Sequence, residues 1–498
     1  VIFTFFRTPP AAVYALAAIA IPLGLLWFFG EESLPILLAT LGVLIAGYLY
    51  FLGFTKTVFI ALVASFLFSV EVPLLGGAAL SLPAEPLALL LFVVGCLALV
   101  RQPEVTAGWA KQPVVWALAL LIFIWILSTA TSTMLQVSAK YVAINIVFMV
   151  VGVVVFPLVW QQSGFTPQRL LRWLFIPLTF FGFFAIYNMW PHGFNPGAAP
   201  EMAQPFFKDH TVFSATISLV VPLLLLWPTF VKTPKKVNWL PPVLGVLLLF
   251  ALFISSSRAA WLAILLAASF YVFIRLRGNV GTLLILLLAA VSAAWFFRSA
   301  IENRLLINPY TSTEVAGTLQ DQALSVTNVT SDVSNIERLN RWKCALRMGA
   351  DKPLSGFGPG TYQFQYLPYQ RDADKTYISV TNPFNTIQGR GGSAHSEYLL
   401  LLSESGVIGL LAWVFLQVAL LLAFFKIWQG KLARADKNLA LALYLSVLTY
   451  TVHSLFNNYL NTAQFGIFWW MLVGGLLYLR MKATDLSKKS INSPLERG

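Results

Sequence analysis

Charge is what this chain has least of. Lys, Arg, Asp and Glu make up 11% of its 498 residues, against roughly 25% in a water-soluble domain. That excludes a soluble globular enzyme as the main body of the protein. Cysteine is almost missing too. Cys96 lies inside an apolar run and Cys344 in a polar segment, which excludes a disulfide framework and shows no metal-ligand spacing. Four histidines, His192, His210, His395 and His453, stand far apart along the chain. Without paired ligand spacing they predict no metal site. No P-loop and no low-complexity tract appears.

What is abundant is apolar. Hydrophobic residues make up 58% of the chain, in continuous runs of about 18 residues or more that can each cross a bilayer core as a helix. A β-barrel would show short alternating segments instead. The expectation is an all-α polytopic membrane protein with spans near 11–29, 35–53, 56–74, 84–100, 113–131, 142–160, 170–190, 211–230, 238–255, 259–275, 280–297, 398–425, 438–455 and 463–480. That is fourteen transmembrane helices, or twelve if a short pair is re-entrant. The first run is long and many follow, so it reads as a span and not a cleaved signal.

The net charge of +13 does not point to nucleic acid, because its placement follows the membrane. With the N-terminus in the cytoplasm, the inner loops receive Arg7, Lys56, Arg101, Lys111, Arg169, Arg172, Lys232, Lys235, Lys236, Arg275, Arg277, Lys426, Lys431, Arg434 and Lys437, and the basic tail from Arg480 is also inside. The short outer loops hold only Lys140 and Lys208, with Arg258 at a helix end. This asymmetry is what the positive-inside rule requires. It puts both termini in the cytoplasm and all four histidines at the outer face. The expected organisation is an N-terminal bundle over 1–297, an outer cap over 298–395, further transmembrane helices over 396–480 and a cytoplasmic basic tail over 481–498.

The cap is the only long polar segment, with ten basic and eight acidic residues. Mixed charge with aromatic and turn residues predicts a small folded unit, loose over Thr311 to Asn335. From Ile336 to Met348 a helical pattern places Leu339, Trp342 and Leu346 on one face. Pro353 and the run Gly356-Phe357-Gly358-Pro359-Gly360 end that helix in a glycine-permitted turn.

The chemistry-bearing residues gather at this outer border. Arg258 follows three serines at a helix boundary, where it either snorkels to the interface or holds an anion, hydroxyls and a guanidinium together suiting phosphate oxygens. Arg338 and Arg341, three apart on the cap helix, form either a solvated basic face or an anion-binding pair. His395 ends the glycine-rich hinge Gly389-Arg390-Gly391-Gly392 just before an apolar helix. An imidazole there can serve as a general base toward a hydroxyl, with Glu397 and Glu404 as candidate orienting partners. Lys208, Asp209 and His210, with Tyr362, Asn457 and Asn458, line the same cavity or belong to surface loops.

Taken together, Arg338-Leu339-Asn340-Arg341-Trp342, Pro353-Leu354-Ser355-Gly356-Phe357-Gly358-Pro359-Gly360, His395-Ser396-Glu397-Tyr398-Leu399 and Glu404-Ser405-Gly406-Val407-Ile408-Gly409 resemble the O-antigen ligase and polymerase family. Ser256-Ser257-Arg258-Ala259 resembles that family's earlier arginine motif. The resemblance covers about residues 200 to 425. It implies a bacterial inner-membrane glycosyltransferase that moves a glycan from undecaprenyl diphosphate to an acceptor at the periplasmic face. The acceptor is lipid A–core oligosaccharide in the ligases and another repeat unit in the Wzy-type polymerases. By motif, His395 corresponds to the family's proposed base, and Arg258 and Arg338 to the arginines that bind the diphosphate. Ser396 stands where the family often has Asn.

The implied partners are the lipid-linked donor, a lipid A–core or glycan acceptor and the bilayer, with no cofactor. An O-antigen ligase is the leading expectation; a polymerase or an O-linked protein glycosyltransferase is the alternative. A lipid-linked glycan transporter is a different class, and would place ionisable residues near the bilayer midplane. In this chain they collect at one face.

Overall fold

The computed structural model describes Ile45, Gly47 and residues 53–73, 79–101, 108–161, 167–231, 239–307, 319–375 and 392–492. The architecture is all-helical apart from one antiparallel hairpin among the described residues, in which β1 (Val70–Pro73) pairs with β2 (Ala79–Leu82). The principal helices in chain order are α1 (Thr55–Ser65), α2 (Ala84–Arg101), α3 (Pro113–Ala130), α4 (Leu135–Gln161), α5 (Pro167–Met189), α6 (His210–Leu225), α7 (Leu240–Ile254) and α8 (Arg258–Arg275). They continue with α9 (Val280–Phe296), α10 (Arg298–Ile307), α11 (Val333–Asp351), α12 (Glu397–Gln429), α13 (Arg434–His453) and α14 (Ala463–Asn492).

Each expected span from 56–74 onward coincides with a helix; those at 11–29 and, but for Ile45, Gly47 and Gly53, 35–53 lie outside the described residues. The chain is a multi-pass membrane protein. Among the described residues six helices are long and apolar enough to cross a bilayer alone, seven if α9 and α10, bent by 67°, form one broken span. Against the expected twelve to fourteen, two runs lie largely outside the described residues, α13 and α14 are long but less apolar, and elsewhere an apolar run outlasts its helix. Run 56–74 passes into the β1 strand at Val70, and run 211–230 turns at Leu226. A 15-residue helix such as α7 covers only about 22 Å of a core roughly 30 Å thick.

Helices α6 and α13 are buried nearly all round, which marks them as central. Helix α6 packs on α7 and α13, α8 packs on α13, and α3 packs on α12. Helices α4 and α14 cross so closely that a Cβ on Gly152 would stand 2.3 Å from the Trp470 backbone, the small-residue contact typical of membrane helices. Helix α9 buries no residue, and its exposed Leu284, Ile285, Leu288 and Val291 present an apolar surface suited to lipid.

The cap differs from its expected pattern. Leu346 is 52% exposed, whereas Glu337, Asn340, Arg341, Cys344 and Met348 are buried. The buried face of α11 is therefore a mixed polar one, because it lies over the polar ends of the bundle helices and not against lipid. The looseness expected over Thr311 to Asn335 does not hold from residue 319 on. Leu319–Leu324 is helical, and the Asn328 side chain accepts from the N–H groups of Thr330 and Ser331. A small separate core joins Cys344, Met348, Phe357, Tyr362 and Tyr366 to Ala394 and Leu400.

Candidate active site

The site forms where the cap meets four helix ends: the N-termini of α6, α8 and α12 and the C-terminus of α13. Glycine makes the junction possible. Helix α12 is broken at Gly406, whose φ of 69° and ψ of −173° lie in a region essentially closed to other residues. Into this break fits the loop after α11. Phe357 and Gly358 donate their N–H groups to the carbonyls of Ser403 and Glu404 at 3.0 and 2.9 Å, and Val407 donates to Pro353 at 2.8 Å. The Glu404 carboxylate accepts the N–H groups of Gly360 and Tyr362 at 2.8 and 2.9 Å. The glycine run is thus a docking loop, and Glu404 is consumed in holding it.

Arg258 opens α8. Its Nη1 donates to Ser325 Oγ at 2.7 Å and to Asp332 Oδ2 at 3.2 Å, and its Nη2 donates to Asp332 Oδ1 at 3.4 Å. Asp332 is fully buried and caps α11 through the N–H of Asn335 at 3.1 Å. One bidentate pair therefore joins bundle to cap, so Arg258 is neither a bare snorkelling side chain nor surrounded by apolar groups. The preceding Ser256 has a φ of 56°, a strained backbone of the kind that gathers at functional sites.

Arg338 points into the same region. Its Nη1 donates to Ser334 Oγ at 2.9 Å, while its buried Nε has no hydrogen-bond partner. Burial and the neighbouring Arg258 charge push its pKa down, opposed by Tyr459, Asp332 and Asp209. Asp332, already paired with Arg258, and Asp209 offset the two like charges. Arg341, three residues on, turns into the cap core. Its Nε donates to Glu337 Oε1 at 2.8 Å, and its guanidinium lies 4.1 Å from the Tyr366 ring centre. Arg338 and Arg341 are therefore not one basic face.

His395 has a φ of 49° and sits just before Ser396, whose side chain caps α12. Its carbonyl accepts from Trp342 Nε1 at 3.1 Å. Burial lowers its pKa to about 4, with help from Arg338 and Arg341 and against Glu337 and Asn457. The imidazole is therefore neutral near pH 7 and can take a proton. Neither expected partner serves it: Glu404 holds the loop, and Glu397 Oε2 accepts the Tyr450 hydroxyl at 2.7 Å.

His210 begins α6 beside Asp209 and Arg338, with a buried, unpartnered Nδ1. Asp209 caps that helix, accepting from the N–H groups of Thr211 and Val212 at 2.7 and 3.0 Å. Lys208 is exposed. Tyr362 is a cap-core residue, its hydroxyl donating to the Arg341 carbonyl at 2.9 Å. His453 and Asn457, held together at 3.0 Å, also reach the site. Their sequence signal is a polar end to an apolar helix followed by a pair of asparagines. Asp372 and Asp374 have an Asp-x-Asp spacing but form ion pairs with Lys375 and with Lys343 and Arg347. Among the described residues no group of three or more His, Cys, Asp or Glu could hold a metal ion.

A search of the curated proteins finds no match. A family model does match, over a stretch that contains Arg258, Arg338, His395 and the cap between them. Residues 243–414 match the model of the Wzy_C family, described as O-antigen ligase.

Proposed function

We propose that the protein is an O-antigen ligase, transferring a glycan from undecaprenyl diphosphate to lipid A–core oligosaccharide at the periplasmic face of the bacterial inner membrane. One observation carries the reading. Arg258, at the start of α8, holds Asp332, which caps α11, and α11 carries both Arg338 and Trp342, whose Nε1 donates to the His395 carbonyl at 3.1 Å, so the two arginines and the histidine belong to one junction of cap and bundle. In this reading the two guanidinium groups hold the donor diphosphate and offset the charge that builds on it as it leaves. The N-terminus of α8 adds positive potential from its free backbone N–H groups.

The acceptor hydroxyl oxygen attacks the anomeric carbon of the donor from the side opposite the diphosphate. The carbon–oxygen bond to the diphosphate breaks, and undecaprenyl diphosphate departs with the electron pair. The hydroxyl proton passes to His395, which later returns it to water, and the anomeric configuration inverts. Proton removal by a placed base contributes about 10²–10⁴-fold, so His395→Ala should lower transfer by that much while the protein still inserts in the membrane. An active His395→Ala enzyme would remove the base assignment. Lipopolysaccharide gels of a deletion strain distinguish the acceptors. Undecorated core with accumulated lipid-linked chains supports the ligase, core bearing a single repeat means a polymerase, and unchanged lipopolysaccharide means another glycan pathway.

A further inference from the structure

We infer that Trp342 and Phe456 form a sugar-stacking platform beside His395, on which a pyranose ring of one of the two glycans lies during transfer. This rests on the reading of the junction as a glycan-transfer site and adds the residues that recognise the carbohydrate.

The two rings come from elements far apart in the chain. Trp342 is on α11, and Phe456 follows α13 in a tight turn, its N–H donating to the His453 carbonyl at 2.9 Å. Their ring centres are 6.2 Å apart, with the planes inclined by 36°. Both elements are bonded to the short stretch that carries the imidazole. Trp342 Nε1 donates to the His395 carbonyl at 3.1 Å, and the Glu397 N–H donates to the Ser454 carbonyl at 2.9 Å. Hydrogen bonds from both elements therefore fix the aromatic pair relative to His395.

Packing does not account for the pair. Among the described residues neither ring joins the bundle core or the small cap core. Both stay partly exposed, and the neighbouring Leu455 is 47% exposed. Rings left open in this way forgo hydrophobic burial, while their electron-rich faces suit the polarised C–H groups of a sugar. The surroundings separate a sugar from a lipid chain. Arg338 and Arg341 precede Trp342 on α11, and Ser454, Asn457 and Asn458 flank Phe456. The Asn458 side-chain oxygen is buried without a hydrogen-bond partner, and a hydroxyl is a group that can donate to it. A pyranose has a C–H face and a rim of hydroxyls, which matches aromatic faces with a polar border. A prenyl chain laid there would strip those polar groups of water and return nothing.

Steady-state transfer by the full-length protein in lipid, with a lipid-linked glycan donor and a glycan acceptor varied separately, tests this. Phe456→Leu keeps apolar bulk but removes the ring face. It should raise one KM about 10-fold, well beyond any fall in kcat, as expected when binding is lost alike from ground and transition states. The KM that rises identifies the source of the ring, donor sugar or acceptor sugar. Phe456→Tyr restores a face and should recover most of the loss, which a merely structural role for the apolar bulk would not produce. Trp342→Leu, on the other element, should raise the same KM and guards against misfolding of the Phe456 turn. Wild-type KM for both glycans in Phe456→Leu or Trp342→Leu, or a fall in kcat alone, overturns the inference. His395→Ala reports on the base separately: if it is active the base assignment falls, while a raised KM in Phe456→Leu leaves the platform standing.

Discussion

Replacing Arg258 by alanine removes two things at once, and the geometry says how to separate them. Both terminal nitrogens of Arg258 hold Asp332, at 3.2 and 3.4 Å, and Asp332 is fully buried. Truncating one member of a buried pair costs about 3–5 kcal/mol, because the other charge is stranded. Asp332 keeps the N–H of Asn335 at 3.1 Å, which puts the cost at the lower end, about 3 kcal/mol. At an unfolding entropy of about 2.1 cal/mol/K per residue, a chain of this length loses about 1 °C of Tm for each kcal/mol. Arg258→Ala should thus melt about 3 °C lower in detergent and lose transfer as well. Adding Asp332→Asn removes the stranded charge, so the double variant should regain most of the lost Tm. It should not regain transfer. A charge-assisted hydrogen bond contributes about 1.5–3 kcal/mol, so the missing guanidinium should leave transfer down by about 10- to 10²-fold. Thermal unfolding and glycan transfer measured on the same preparations separate the two roles. Recovery of transfer in the double variant would refute the donor contact, and an unchanged Tm in Arg258→Ala would refute the ion pair as the clasp between cap and bundle.

The same reasoning reaches the loop and the base. A Cβ at Gly406 would stand 2.4 Å from the Leu354 carbonyl oxygen at a φ of 69°, so Gly406→Ala should cost at least about 1–3 kcal/mol in strain and displace the cap; wild-type Tm and transfer would contradict the docking. Because His395 titrates at about 4, the rate should be flat with respect to this group around neutral pH and fall only as pH drops toward that value. Its folded pKa lies below the ordinary 6.5, so the unfolded chain takes up the proton first. The stability contributed by this group is therefore complete above about 6.5 and lost as pH falls toward 4, which unfolding midpoints across that range will check.

Apolar runs and glycine-rich hinges act through their own neighbours, and the sequence by itself determined what depends on them. The helices from 56–74 onward were legible, since membrane helix formation is decided within about 20 residues by the need to satisfy the backbone in lipid; the glycine-rich hinge before Gly392 lies outside the described residues. What spans the chain was not legible. Nothing local says that Arg258 takes Asp332, 74 positions later, or that Arg341 turns to Tyr366 while Arg338, on the same helix, does not. The apolar face assigned to the cap helix failed because α11 packs on polar helix ends, where hydrophobicity no longer reports burial. Glu404 looked like a partner for the imidazole and became the anchor of a glycine loop; Asn457, expected in the cavity or on a surface loop, took His453 as its partner. Partner choice among polar groups depends on distances across the fold, and only the tertiary structure decided it.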